Sequence, residues 1–182
     1  MLIWESVSFE ESRRRFHKTI HAMTIKFFTT GGTIDKVYFD ANSEFQVGSP
    51  QVLEVLEQAH VTFEFEVVPI LRKDSLEMTD DDRELIRQTI DACECERIVV
   101  THGTDTMTET AKVLQHVKGK TIVMTGAMEP AISRYTDATF NIGCAVAAVQ
   151  CLSHGIYITM NGRVFLAQHV RKNRHARRFE EA

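Results

Sequence analysis

Thr24-Ile25-Lys26-Phe27-Phe28-Thr29-Thr30-Gly31-Gly32-Thr33-Ile34-Asp35 is the stretch on which the fold reading turns. A short apolar run with strand character ends in a loop of hydroxyls and glycines. The pattern recurs further on, where Arg97-Ile98-Val99-Val100 leads into Thr101-His102-Gly103-Thr104-Asp105-Thr106. Each loop stands where a strand ends. In open parallel α/β sheets the ligand crevice lies outside the carboxyl ends of the strands. Two hydroxyl-bearing loops at that edge point to hydroxyl chemistry.

Outward from these loops, strand and helix patterns alternate. Residues 25–28 read as the first strand, and a polar loop follows over residues 31–48. Ser49-Pro50 predicts an N-cap with proline at the first helical position. Val52, Leu53, Leu56 and Ala59 repeat at helical spacing after it. Phe63, Phe65 and Val67 alternate with Glu64 and Glu66, the pattern of a half-exposed strand. Thr79 with Asp82, and Thr106 with Glu109, read as capping boxes that open two further helices. Residues 121–124 and 156–159 predict two more strands, with a helix over about residues 137–152 between them. Asn161-Gly162 is a strong hairpin signal before residues 164–167. Strands separated by helices imply crossover connections and a mostly parallel sheet. The expected fold is a three-layer α/β structure, an open sheet with helices on both faces (Rossmann- or flavodoxin-like), plus a C-terminal hairpin. Residues 23–182 make up this domain. Residues 1–22 do not join the alternation; they read as an N-terminal extension or an upstream start, or else as a terminal helix packed on the domain.

The chain has 182 residues, enough for one sizeable core. A formal charge of −4 gives no global attraction to nucleic acid or anionic membrane. No apolar run is long enough to span a bilayer, and residues 1–22 lack the apolar stretch of a secretory signal. The default compartment is the cytoplasm. Cys144 and Cys151 share a predicted helix, where their backbones stand roughly 10 Å apart, too far for a disulfide. Cys93-x-Cys95 has no second pair at zinc-binding spacing, and the eight histidines show no ligand spacing. No metal and no cofactor are expected. The basic run Arg171-Lys172-Asn173-Arg174-His175-Ala176-Arg177-Arg178 is the one local feature that a nucleic-acid reading could use, and runs of this kind are usually solvated surface.

In the first loop Gly31-Gly32 either aims backbone amides at an anion or developing oxyanion, with Thr33 beside them, or simply makes a tight turn. The spacing matches neither nucleotide-binding glycine pattern. The second loop adds Thr104 and a carboxylate, Asp105. A threonine hydroxyl attacks only when a base takes its proton. His102 is a candidate base, although a lone histidine beside a glycine is more often structural.

Thr29-Thr30-Gly31-Gly32-Thr33-Ile34, His102-Gly103-Thr104-Asp105-Thr106-Met107 and Val123-Met124-Thr125-Gly126-Ala127-Met128-Glu129-Pro130 together resemble the bacterial-type L-asparaginase/glutaminase family. Asp74-Ser75-Leu76-Glu77-Met78 and Asp137-Ala138-Thr139-Phe140-Asn141 fit its pattern too, so the resemblance covers roughly residues 24–173. It implies hydrolysis of the side-chain amide of L-asparagine through a threonine acyl-enzyme. Glutamine, another small amide, or amino-acid binding without catalysis are the alternatives. By resemblance Thr33 is the nucleophile, Thr104 the second catalytic threonine and Lys172 its proton-transfer partner. By the same resemblance Asp74, Ser75, Thr104 and Asp105 bind the substrate, Ser75 holding the α-carboxylate and Asp105 the α-amino group. Tyr38, the tyrosine after the first motif, matches the residue that helps to activate the nucleophile. The resemblance also implies a homo-oligomer and, because the chain stops soon after Lys172, the short single-domain branch of the family. A strand returning from the Asn161-Gly162 turn runs away from the threonine loops, so Lys172 reaches them only if the chain doubles back.

Overall fold

The computed structural model describes residues 24–39 and 44–182. The expected extension over residues 1–22 lies outside them. Strand β1 (Ile25–Gly31) runs into a 3₁₀ turn, Thr33–Asp35, and then a small hairpin of β2 (Lys36–Phe39) and β3 (Glu44–Val47). Helix α1 (Val52–Gln58) leads to β4 (Phe65–Lys73), α2 (Asp80–Ala92) to β5 (Arg97–Thr101), α3 (Met107–Leu114) to β6 (Thr121–Thr125), and α4 (Ala138–Cys151) to β7 (Gly155–Met160). The chain ends with β8 (Arg163–Leu166), a 3₁₀ turn Ala167–His169, and a second hairpin of β9 (Val170–Asn173) and β10 (Arg178–Glu181).

The main sheet has the order β4-β1-β5-β6-β7-β8, parallel throughout except for β8, which is antiparallel to β7. The five parallel strands therefore follow the flavodoxin-like order, whose switch point lies between the first and third of them, here β1 and β5. Ile98, Val99 and Val100 of β5 and Ile122, Val123 and Met124 of β6 are all fully buried. Such unbroken apolar runs mark central parallel strands covered on both faces. Phe28, Val100, Met124 and Ile158 pack with Ile86 and Ile90 of α2 and Met107, Ala111 and Leu114 of α3. Phe27, Val99 and Val123 pack on the other face with Val52 and Leu56 of α1 and Ala138, Ile142, Ala145 and Val149 of α4. Pro69 sits within β4, where an edge strand tolerates the missing donor.

Several local expectations change. The loop over residues 31–48 contains the β2–β3 hairpin. Helix α1 begins at Val52 with no side-chain cap from Ser49. Instead the carboxylate of Asp35, distant in sequence, accepts from the Gln51 amide at 2.9 Å. The Thr79–Asp82 capping box forms as expected. The Thr106–Glu109 box does not. Thr106 Oγ1 donates to the Ser75 carbonyl at 2.8 Å, and Glu109 pairs with Arg83. Asn161 and Gly162 both adopt positive φ, 54° and 74°, the twist a two-residue hairpin turn needs. β8 does lead away from the threonine loops. The turn Ala167–His169 packs on α3 and reverses the chain. β9 and β10 then pair outside the main sheet, anchored by the buried Val170 and Phe179 in the core cluster of α3.

At the carboxyl edge the turns after β1, β5 and β4 touch. Gly32 has φ 87°, and a Cβ built there would run into the Gly103 backbone, 2.5 Å from its nitrogen. A Cβ on Gly103 would lie 2.5 Å from Ser75 Oγ and 2.6 Å from its Cβ. Gly119 also has positive φ, 71°, but nothing lies within 4 Å of its would-be Cβ. Gly32→Ala is therefore expected to cost at least about 2 kcal/mol, from overpacking plus strain, and Gly119→Ala only roughly 1 kcal/mol from strain. Denaturant unfolding of the two variants checks this; equal losses would refute the backbone contact as the constraint.

Candidate active site

The edge that these turns share collects the side chains singled out by sequence. Thr33 opens the 3₁₀ turn directly after Gly32, and Thr104 directly follows Gly103, so the two hydroxyl residues flank one backbone contact. Neighbouring strand ends are stitched by hydroxyls: Thr30 Oγ1 donates to the Thr101 carbonyl at 3.0 Å, and Thr125 Oγ1 to the Thr159 carbonyl at 2.9 Å. Gly32 N–H donates to the Lys73 carbonyl at 2.9 Å. That bond removes Gly32 from the oxyanion donors and makes close approach its main task.

Lys172 reaches the second loop. Its Nζ donates to Thr104 Oγ1 at 2.7 Å and to Asp105 Oδ1 at 2.9 Å, with its side chain 13% exposed. The Thr104 hydroxyl, having accepted from lysine, turns its own proton toward Met128 Sδ at 3.8 Å. Sulfur is a weak acceptor, so this proton is readily redirected to a ligand. Met128 is held by Asp137, whose Oδ1 accepts from the amides of Met128 at 2.9 Å and Glu129 at 3.1 Å. Asn141 Nδ2 bridges from Asp137 to the Gly126 carbonyl, at 2.9 Å each. The Asp137–Asn141 stretch thus braces the loop after β6.

Ser75 is buried against Gly103. Asp74 is directed elsewhere: its carboxylate takes Lys36 Nζ at 2.8 Å and the Leu76 amide at 3.1 Å. Burial opposes ionisation of Asp74, but these bonds and the charges of Lys36 and Lys172 outweigh it and hold the carboxyl below its ordinary value. Asp74 so ties the β2–β3 hairpin to the Ser75 turn. Tyr38 lies on β2 opposite Phe45, with its side chain 52% exposed.

His102 is fully buried. Nδ1 lies 2.8 Å from the Gly103 carbonyl, which can only accept, so that nitrogen carries the proton. Nε2 then accepts from Thr110 Oγ1 at 2.8 Å. Burial drives its pKa down to about 4, outweighing the carbonyl bond. His102 is a neutral brace of the loop, in keeping with the structural reading. Met128, Lys36, Asp35, Thr106 and Arg174, whose guanidinium lies 3.6 Å from Asp105 Oδ1, were not picked out by sequence reasoning. Thr106 belongs to a spacing read as a helix cap, but its bond to the Ser75 carbonyl, like the contacts of the others, is made across the fold. Among the described residues, no cluster of three His, Cys, Asp or Glu side chains could hold a metal ion.

A family model described as asparaginase, N-terminal, matches residues 24–180. The chain belongs to that family. A probable periplasmic L-asparaginase of Haemophilus influenzae is 31% identical over 160 residues, covering 81% of this chain and 46% of that protein. A glutaminase-asparaginase of Acinetobacter glutaminasificans is 39% identical over 80 residues, 41% of this chain and 24% of that protein. Among solved structures, the thermostable L-asparaginase from Thermococcus kodakarensis superposes with a TM-score of 0.76 at 26% identity, over 87% of this chain and 51% of that one. A probable cytoplasmic L-asparaginase from Campylobacter jejuni gives 0.73 at 27% identity, over 87% and 51%. The chain thus spans about half the length of these asparaginases. Among the described residues no helix is long and apolar enough to cross a membrane.

Two buried groups beside the site make stability depend on pH in opposite senses. Desolvation raises Asp35 to about 6, only partly offset by the Gln51 amide and the charge of Arg72. A carboxyl raised in the folded state stabilises it fully below its unfolded pKa and loses that contribution as pH climbs toward 6. His102, lowered, contributes stability above its unfolded value near 6.5 and loses it as pH falls toward 4. Asp35→Asn isolates the first effect. Its stability relative to wild type is expected to rise between pH 4 and pH 7, by up to about 3 kcal/mol. Denaturant midpoints across that range check it, and a flat difference would refute the assignment.

Proposed function

We propose that the chain hydrolyses the side-chain amide of L-asparagine, with Thr33 as nucleophile, through an acyl-enzyme. The observation that carries the reading is the contact of Lys172 with both Thr104 and Asp105, one backbone contact away from Thr33. Thr33 Oγ attacks the amide carbon and its proton enters the Thr104–Lys172 pair. That pair returns a proton to the leaving nitrogen, which departs as ammonia. Water then attacks the ester, releases aspartate and restores the hydroxyl. Asp105 receives the α-ammonium, and Ser75, on the turn packed against Gly103, contributes to binding of the carboxylate. Asp74 serves through Ser75, by fixing the turn that carries it. Tyr38 is assigned to Thr33 activation by family likeness, its hairpin being fastened to the site by the Lys36–Asp74 pair.

Positioning is the main physical lever here, since holding reactants in register can remove roughly 7–11 kcal/mol from a barrier in the best cases. Two charged ends held beside the Gly103 turn set the amide between the threonines. The reading includes a homo-oligomer, as the family resemblance implies. It also includes a cytoplasmic setting, in keeping with Cys93, Cys95, Cys144 and Cys151, all free thiols.

The test is ammonia release from L-asparagine, L-glutamine and the D-isomers. Thr33→Ala is expected to abolish turnover by roughly 10³-fold or more, as removal of a nucleophile does. Thr104→Val and Lys172→Met are expected to lower kcat by about 10²–10⁴, the range of general acid–base assistance, with the unfolding midpoint little changed. Wild-type turnover in Lys172→Met would remove the lysine from the mechanism, and absence of ammonia from every amide would leave the binding-protein alternative standing.

A further inference from the structure

The β9–β10 hairpin delivers two cations to one carboxylate. Lys172 and Arg174 stand two residues apart, and both meet Oδ1 of Asp105, at 2.9 Å and 3.6 Å. Asn173 between them turns the other way, to Glu180 Oε1 at 3.1 Å. The other arginines of this basic run have carboxylates of their own. Arg171 and Arg178 meet Glu180, and Arg177 meets Glu129 at 2.7 Å. Lys172 and Arg174 are the cations of the run turned toward the site.

Arg174 is not a loose tail residue. The amide of Ala176 donates to Asn173 Oδ1 at 3.0 Å, which fixes the turn containing Arg174. The Arg177–Glu129 pair ties the same turn to the loop after β6. Phe179, 2% exposed, pins the returning strand into the core, and its amide donates to Asn161 Oδ1 at 2.9 Å. The guanidinium is thus held at the rim, 68% exposed, beside Asp105, an acid already shared with lysine. Two positive groups against one negative leave a surplus of positive charge at the place assigned to the substrate's charged end.

We propose that Arg174 is a specificity-determining residue that recognises the α-carboxylate of the substrate. The inference rests on the amide-hydrolysis reading above, which places an α-amino acid against Asp105. Both cations converge on Oδ1, which leaves Oδ2 to the α-ammonium. The α-carboxylate hangs on the same carbon as that ammonium, its oxygens within about 4 Å of the nitrogen. An ammonium seated on Oδ2 therefore brings its own carboxylate into reach of the guanidinium beside Oδ1. Lys172 is poorly placed for the task, being only 13% exposed and engaged with Thr104 as well. Ser75 offers a neutral hydroxyl. Arginine adds a fork of donors that matches a carboxylate in shape and charge.

The experiment uses the full chain and Arg174→Met, with Arg174→Lys as the conservative variant. Titration calorimetry with L-aspartate and with its α-amide, L-isoasparagine, reads recognition of the α-carboxylate without any turnover. Arg174→Met is expected to weaken L-aspartate by about tenfold or more, as loss of a hydrogen bond to a charged group does, and to leave L-isoasparagine unmoved. Arg174→Lys should recover part of the loss. In the ammonia assay KM for L-asparagine should rise by a similar factor while kcat stays within about twofold. Equal L-aspartate affinity in wild type and Arg174→Met, equal weakening of both ligands, no binding of L-aspartate by wild type, or a lower KM in the variant would each overturn the proposal. Failure of the hydrolysis reading looks different: no amide releases ammonia, while the calorimetric contrast between the two ligands still reports on Arg174.

Discussion

Three strand ends meet backbone to backbone, and the rest of the site depends on that approach. Gly32 lies on Gly103 and Gly103 on Ser75, each without room for a Cβ. Because β1 lies between β4 and β5 in the sheet, the turns that follow these strands necessarily emerge side by side. Glycine converts adjacency into contact. It draws the turns close enough for Thr106 to bond the Ser75 carbonyl and for Thr30 to bond that of Thr101. The positions after each glycine inherit the proximity. Thr33 and Thr104 are thus neighbours in space because of what the preceding residues lack.

The lysine arrives by a different principle. A charged group can be held in a largely buried place only when its partners come with it. Lys172 is carried by a hairpin that contributes nothing to the main sheet, and whose inward residues, Val170 and Phe179, are apolar and buried against the core of α3. Hydrophobic burial positions the strand, and alternation along it directs Lys172 inward. Thr104 and Asp105 meet the ammonium there. The polar contact decides the chemistry, whereas the apolar anchors decide where it can occur.

What could be read along the chain follows from this division. Periodicity exposes elements whose neighbours are local or repetitive. The β5 and β6 runs, the buried stripe Met107, Ala111, Leu114 of α3, and the Thr79 capping box were legible for that reason. The turn at Asn161-Gly162 was legible because positive φ at two successive positions restricts the residues. Long-range substitutes for local signals were not. Asp35 supplies the bond at the start of α1 that Ser49 was expected to supply, and Thr106 gives to Ser75 the hydroxyl that its own helix end was expected to use. The β2–β3 hairpin is short and polar, with no alternation strong enough to separate it from loop. At the candidate site, Thr33, Thr104, Asp105, Ser75 and Lys172 were assigned through family likeness. Arg174 stood only in a basic run and Met128 only in a family motif; their contacts with Asp105 and Thr104 are made across the fold, where local pattern does not reach.

The placement of charge ties these features together. The floor of the edge is made from neutral hydroxyls, with Thr29, Thr30, Thr101, Thr104, Thr110, Thr125 and Thr159 all buried. Its one histidine is kept uncharged by the same burial. Ionised groups stand at the margins: the Lys36–Asp74 pair on one side, Asp105 with Arg174 on the other, and Lys172 alone reaching inward between partners. The hydroxyls of Thr30, Thr110 and Thr125 are bonded, so they are buried at small cost and act as oriented dipoles where water cannot compete, whereas Thr101 Oγ1 and Thr159 Oγ1 are buried without a partner. Charges at the margin keep part of their hydration and so need fewer internal partners. On the amide-hydrolysis reading proposed above, a small zwitterion meets complementary surroundings at both levels, with its charged end at the margin and its uncharged amide over the floor. That reading separates recognition from reaction along the depth of one crevice, with side chains drawn from the turns after β1, β4 and β5 and from the final hairpin together.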